Sequence, residues 1–160
     1  PAFIGKRQQH LYSSVEIALG FSAKTDNEKA GLIIFQDEKH FYYLCKSTEK
    51  GNDVIQLYKS STENNKMDLL TQVLLASDAE KLLLRIDAAG DNYSFRYALK
   101  PNKWVVLKDN VDGKFLSTQV AGGFIGCVFG MYATSSGLET SNSASFKYLR
   151  YAGKDPMYKD

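Results

Sequence analysis

The sequence predicts an all-β fold, either a two-sheet sandwich or a barrel, and three observations carry that prediction. Aromatic residues make up 12% of the chain, with 10 Tyr and 9 Phe against only 3 Pro, and Tyr, Phe, Val and Ile favour pleated, half-buried surfaces. Short apolar runs recur, separated by turn residues. Several of those runs alternate apolar and polar at period two, the pattern of a strand with one buried face.

The elements follow in order. Val15-Glu16-Ile17-Ala18-Leu19-Gly20-Phe21 alternates cleanly. Gly31 to Gln36 and Phe41 to Cys45 are two further runs, joined by the polar hairpin loop Gln36-Asp37-Glu38-Lys39. Val54 to Tyr58 alternates again after the Lys50-Gly51-Asn52-Asp53 turn. The clearest stretch is a three-stranded meander over residues 81–107. Leu82, Leu84 and Ile86 point one way, Leu83, Arg85 and Asp87 the other. Ala89-Gly90-Asp91-Asn92 supplies turn chemistry. Tyr93, Phe95, Tyr97 and Leu99 then share a face, and Lys100-Pro101-Asn102 leads into Trp104-Val105-Val106-Leu107. Two more strands are expected near Gly126 to Ala133 and Ala144 to Tyr151. Residues 67–76 are ambiguous. Met67, Leu69, Leu70, Val73 and Leu74 fit helical spacing, whereas Leu69, Val73 and Leu75 fit alternation. In a chain of hairpins the strand is favoured.

A length of 160 residues fits one domain, which buries about 70% of its unfolded surface and needs no disulfide or metal to hold a core. Twenty Lys and Arg against 18 Asp and Glu leave a net charge of +2, which gives no electrostatic footprint for nucleic acid. No apolar run approaches the ~20 residues of a membrane-spanning helix. The chain opens at Pro1-Ala2-Phe3-Ile4-Gly5. Those residues suit a trimmed mature chain or a fragment cut from a larger protein at a domain boundary.

Catalytic and metal-binding signatures are missing. The carboxylates sit mostly in turns and on strand faces, in no motif tied to acid–base work. His10 and His40 have no Cys, His or paired carboxylate at metal-ligand spacing, and each reads as a satisfied structural histidine. Cys45 and Cys127 lie in apolar runs and read as buried free thiols. Gly122-Gly123 lacks the strand–turn–helix setting of a phosphate loop. No metal or cofactor is expected.

One segment stands apart: Phe115-Leu116-Ser117-Thr118-Gln119-Val120-Ala121-Gly122-Gly123-Phe124-Ile125-Gly126. Adjacent glycines permit unusual backbone angles and close approach of another surface. Local sequence leaves two readings, a tight turn with Phe124 in the core or a loop that presents Phe124 outward.

Phe3-Ile4-Gly5-Lys6-Arg7-Gln8-Gln9-His10 resembles the opening segment of the C-terminal β-sandwich of glycoside hydrolase family 43 enzymes, mainly β-xylosidases with some α-L-arabinofuranosidases. The resemblance extends through Ala30 to Gln36, Leu84-Arg85-Ile86, Tyr93-Ser94-Phe95 with Trp104, Phe115 to Phe124, Gly130-Met131-Tyr132-Ala133 and Phe146-Lys147-Tyr148. It covers almost the whole chain and departs only in small ways, such as Ile125-Gly126-Cys127. It implies an all-β, two-sheet antiparallel β-sandwich, a concanavalin A-like jelly roll spanning residues 1–160. It also implies that the chemistry lies in an N-terminal β-propeller of the same protein, absent from this chain, which carries an Asp base, a Glu acid and a third Asp. That propeller hydrolyses with inversion, for which two carboxyl groups must stand far enough apart to admit a water. By the same resemblance Phe124, on the Gly122-Gly123 loop, helps close the propeller's sugar pocket around a xylo- or arabino-oligosaccharide. The sequence begins where a propeller would end, which favours the fragment reading.

Three functions compete: an accessory domain that docks on the propeller, an independent carbohydrate-binding module, and a bare structural or oligomerising sandwich. The module would use exposed aromatics such as Tyr42, Tyr43, Tyr58 or Trp104, most of which the alternation places in the core. Docking is favoured, with Lys6, Arg7, Gln8 and Gln9 facing the propeller or forming a solvated N-terminal arm, because four consecutive polar side chains cannot all enter an apolar interior without costly desolvation. The chain alone is expected to show no hydrolase activity, for want of an acid–base constellation. Incubation with aryl xyloside and aryl arabinoside checks this; turnover abolished by mutating a carboxylate of this chain would overturn it.

Overall fold

The computed structural model describes residues 2–9, 12–76, 81–116 and 127–154. Its strands are β1 (Ala2–Arg7), β2 (Tyr12–Gly20), β3 (Lys29–Asp37), β4 (His40–Glu49), β5 (Asn52–Ser60), β6 (Met67–Leu74), β7 (Lys81–Ala89), β8 (Asn92–Ala98), β9 (Val105–Asp112), β10 (Val128–Thr134) and β11 (Ser145–Lys154), with one 3-10 turn at Gly113–Leu116. They form a six-stranded sheet in the order β1-β10-β3-β4-β5-β6 and a five-stranded sheet in the order β11-β2-β7-β8-β9. Every pairing is antiparallel. This is the two-sheet sandwich of the concanavalin A-like type that the resemblance implies.

Alternation drives the packing. Val15, Ile17 and Leu19 of β2 join Leu82, Leu84 and Ile86 of β7 and Phe95 of β8 on the inner face of one sheet. They meet Leu32, Ile34, Leu44, Ile55, Leu57 and Phe129 from the other. Each such side chain contributes about 1.5–3 kcal/mol relative to exposure. Strands β3 and β4 are buried almost without interruption, because the outer face of their sheet carries a second cluster. Ile33, Tyr43 and Cys45 are buried there under Phe35, Phe41, Tyr58, Met67 and Tyr132. At the centre of that sheet Gly31 permits the closest approach. A Cβ there would lie 2.0 Å from the Leu44 carbonyl oxygen.

The ambiguous stretch is a strand, β6, at the sheet edge. Leu57 pairs with Thr71 but Tyr58 with Leu69, so Leu70 is an inserted residue. A β-bulge of this kind switches which face the side chains take. Val73 therefore packs on the main core, opposite Ile55, while Leu69 lies on the other face beside Tyr58. The bulge is the physical source of the mixed periodicity. In the meander, Tyr93 and Phe95 enter the core as expected, but Leu99 falls beyond β8 and is 47% exposed. Strand β9 runs on past Leu107 to Asp112 and buries Val111.

One buried carboxylate ties two loops. Glu28 is 5% exposed. Its Oε2 accepts from the Thr140 hydroxyl, and its Oε1 accepts from Lys24 N at 2.6 Å and Asn142 Nδ2 at 3.0 Å. The Thr140 hydroxyl leads the donors that pull its pKa down to about 2 against the cost of burial. The charged form is thus favoured by folding, so its stabilisation is complete above the ordinary carboxylate value and is lost as pH falls through about 2. Glu28→Gln should cost about 1.5–3 kcal/mol at pH 7. Thermal melts of both proteins from pH 7 down to pH 2 check this: the gap should narrow with acid, and a gap independent of pH would assign the effect to packing.

Candidate functional site

Of the expected site residues, Lys6, Arg7, Gln8 and Gln9 lie within the described residues, at the N-terminal edge of the six-stranded sheet. Strand β1 is an edge strand whose six residues are all exposed. Lys6 sits opposite Phe129 and Arg7 opposite Val128. Phe129 is core, whereas Lys6 is exposed, and its Nζ lies 5.4 Å from the ring centre of Tyr151. Past β1 the backbone is still held. Gln8 N donates to Cys127 O at 2.7 Å, and Gln9 N donates to the Tyr151 hydroxyl at 3.0 Å. Lys6, Arg7 and Gln9 are exposed, whereas Gln8 is half-buried and its Oε1 accepts from the Tyr93 hydroxyl at 3.3 Å.

Gly122, Gly123 and Phe124 lie outside the described residues, as does His10. The two feet of their segment are described. On one side the 3-10 turn buries Leu116 and lays Phe115 against Tyr42 and His40, with ring centres 5.6 and 5.1 Å apart. Lys59 Nζ covers the other side of Phe115 at 4.2 Å. On the other side Cys127 begins the return into β10. Its thiol lies 3.5 Å from Leu116 O and 3.5 Å from Gln36 Oε1. Residues 116 and 127 are thereby pinned together, and the carbonyl of Cys127 is the acceptor for Gln8. The structure thus joins the polar N-terminal string to the base of the Gly-Gly-Phe segment.

The ionisable groups here serve packing. His40 Nδ1 lies 2.8 Å from Asp37 Oδ1. Burial pushes the Asp37 carboxyl up, but hydrogen bonds from His40 and from Lys39 N outweigh it, and its pKa is lowered overall. Burial pushes the Cys45 thiol up to about 12 and the Cys127 thiol up to about 11. Both cysteines are free; Cys45 is buried, while Cys127 is only partly so. Among the described residues no group of three or more His, Cys, Asp or Glu is placed to hold a metal ion.

The aromatics considered as a sugar platform are dispersed. Tyr42 and Tyr43 are buried, their hydroxyls donating to Asp112 O and Tyr132 O at 2.9 Å each. Tyr58 is half-buried on the outer face of the six-stranded sheet, and Trp104 on the five-stranded one. The sequence reading missed Tyr93 and Tyr151, whose hydroxyls position Gln8 and Gln9. Nothing in an alternating strand tells which core tyrosine keeps its hydroxyl at the rim.

Residues 1–152 match the family described as the β-xylosidase C-terminal concanavalin A-like domain. The chain belongs to that family. It is 28% identical over 151 residues to a non-reducing end α-L-arabinofuranosidase of Bacteroides ovatus, covering 94% of this chain and 28% of that protein. It is 24% identical to a β-xylosidase of Bacillus subtilis, covering 96% of this chain and 29% of that one. Its fold matches the Bacteroides ovatus xyloglucan-locus GH43B structure with a TM-score of 0.86 at 28% identity, over 96% of this chain and 30% of that one. It matches the fold of a xylan β-1,4-xylosidase of Bacillus halodurans with a TM-score of 0.82 at 22% identity, over 93% and 29% of the two chains. The chain spans less than a third of the length of these relatives. As a member of this family it is an accessory concanavalin A-like sandwich of the kind described from the C-terminus of β-xylosidases.

Burial that raises both thiol pKa values predicts slow reaction of both cysteines in the folded domain. At pH 8 a thiol titrating near 11 is roughly one part in a thousand thiolate. A chromogenic disulfide reagent should therefore find no fast thiol in the native protein and two after denaturation. A thiol that reacts at the rate of free cysteine would show that the Cys127 foot is open.

Proposed function

We propose that this sandwich docks on a β-propeller catalytic domain of the same protein and helps close its sugar pocket with Phe124, while contributing no acid or base itself. The observation that carries this reading is the junction of Gln8 with Cys127, a 2.7 Å backbone hydrogen bond. It brings Lys6, Arg7, Gln8 and Gln9, the residues proposed to face the propeller, to the foot of the segment that bears Gly122, Gly123 and Phe124. One docking event would then engage both.

The mechanism follows from the chemistry of inversion. A general acid protonates the leaving oxygen while a general base activates one water on the opposite face of the sugar. Stray water in such a pocket weakens every electrostatic contact within it. An aromatic ring over the C–H face of the sugar excludes that water without competing for the polar groups. Gly122 and Gly123 leave the backbone beside Phe124 free of side chains that would collide with the pocket rim. The relatives' names point to a xylo- or arabino-oligosaccharide as the substrate of the parent enzyme.

Phe124→Ala tests this in the full-length enzyme. Loss of the contact should lower kcat/KM by roughly tenfold to a hundredfold, the equivalent of about 1.5–3 kcal/mol of lost apolar burial. The melting temperature of the sandwich should stay nearly unchanged. A core phenylalanine would instead cost about 3–5 kcal/mol and lower the melting temperature by roughly 6–20 °C. That result, with turnover intact, would overturn the pocket-closing role.

A further inference from the structure

The outer face of the five-stranded sheet holds a groove of about 500 Å3. Its volume lies in the range of small-molecule sites. Small residues open its floor: Ala18 and Gly20 of β2 lie between β11 and β7. Two aromatic side chains, Trp104 and Tyr148, stand in its lining. A bulge in β11 between Phe146 and Tyr148 makes Lys147 an extra residue and carries both Lys147 and Tyr148 to this face.

A single carboxylate organises the aromatics. Glu16 Oε2 accepts from the Tyr148 hydroxyl at 2.8 Å and lies 3.7 Å from Arg150 Nη1. Glu16 Oε1 lies 3.9 Å from Arg85 Nη1. Each arginine in turn stacks on one aromatic, Arg150 on Tyr148 at 4.6 Å and Arg85 on Trp104 at 5.7 Å. Arg85 is fixed further by Asp87 Oδ1, which accepts from its Nε at 2.9 Å. Both rings are thus braced before any ligand arrives, which lowers the entropic cost of binding.

The charge balance of the lining is cationic. Lys81, Lys147 and Arg150 face the one carboxylate of Glu16. The Glu16 charge is shared with the two guanidinium groups and the tyrosine hydroxyl, and the ammonium groups of Lys81 and Lys147 have no ion pair among the described residues.

We propose that this groove binds an acidic oligosaccharide, one whose sugar rings rest on Trp104 and Tyr148 while a uronic acid carboxylate meets Lys81 and Lys147. Aromatic faces suit the C–H side of a pyranose, and Glu16 retains acceptor capacity for a hydroxyl. The proposal is independent of the pocket-closing reading, because neither Leu116 nor Cys127, which flank segment 117–126, lines the groove.

Calorimetry of the 160-residue chain with three probes tests it: xylotetraose carrying one glucuronic acid, plain xylotetraose, and an octathymidylate. The acidic sugar should bind roughly 5- to 30-fold more tightly than the neutral one, the range that two partly exposed charge pairs supply. The preference should shrink as salt shortens the screening length. Lys147→Glu, at an exposed residue, should abolish the preference without shifting the melting temperature. Trp104→Ala should weaken the acidic sugar by roughly tenfold or more, by analogy with other stacked platforms. Equal binding of the two sugars, no binding of the acidic one, indifference to Lys147→Glu, or tighter binding of the oligonucleotide would each overturn the proposal, and none of them bears on Phe124.

Discussion

Everything in this molecule depends on one constraint, that the six-stranded sheet is packed on both faces. Leu32, Ile34 and Leu44 look into the sandwich, while Ile33, Tyr43 and Cys45 look out beneath a cover of aromatic side chains. A strand buried on both sides cannot slip by one residue without exchanging two apolar sets, so register is fixed from the centre outward. Gly31 tightens the fix, since the Leu44 carbonyl occupies the space where a side chain would stand. Polar groups that fall inside this zone have to be answered locally. Lys46 is 1% exposed and its Nζ donates to Phe21 O at 2.6 Å. Lys29 Nζ reaches Asp26 O at 2.6 Å.

With the centre rigid, variation is left to the periphery. One region gathers the outgoing polar string of Gln8 and Gln9 and the feet of segment 117–126. Another gathers Trp104, Tyr148 and the Glu16–arginine brace. The two regions have different chemistry. The first is held by backbone hydrogen bonds and by a thiol between Leu116 and Gln36. The second is held by charge, through Glu16, Arg85, Asp87 and Arg150.

The strands were legible wherever one face is buried. Val15 to Phe21 and Leu82 to Asp87 alternate in the sequence because the sheet they form meets the core on one side and solvent on the other. Legibility fell where a bulge intervenes. Leu70 breaks the alternation of β6 and gave that strand a helical look. The bulge beside Lys147 is likewise silent in the sequence, so the groove it opens was not foreseen. Of the docking end, the polar run from Lys6 to Gln9 and the Gly122-Gly123-Phe124 segment could be singled out, because four polar residues in a row and paired glycines are local signals. Their meeting through Cys127 could not, since it joins residues far apart in the chain whose contact only the sheet order creates. Glu28 was equally opaque. Its donors, Thr140 and Asn142, lie more than a hundred positions away.

The edge strand β1 shows how the docking end is built to be responsive. All six of its residues are exposed, so burial alone does not hold it. At one end the Phe3 ring covers Gly5 and Gly130, at positions where a Cβ would lie 2.8 and 2.4 Å from it, and leans on Phe35 and Tyr132. At the other end Gln8 and Gln9 hang from Cys127 and Tyr151. Between these two anchors the strand is fastened mainly by its ladder to β10. Unpaired sheet edges invite further pairing, and Lys6 and Arg7 are charges of the sort that discourage it. The same charges leave β1 readable by a polar partner surface. Because one of its anchors is the carbonyl of Cys127, a partner that gripped Lys6 to Gln9 would pull on the foot of the segment carrying Phe124. Under the proposed docking, the pull on that segment would pass through the Gln8–Cys127 hydrogen bond, with no need for a change in the core.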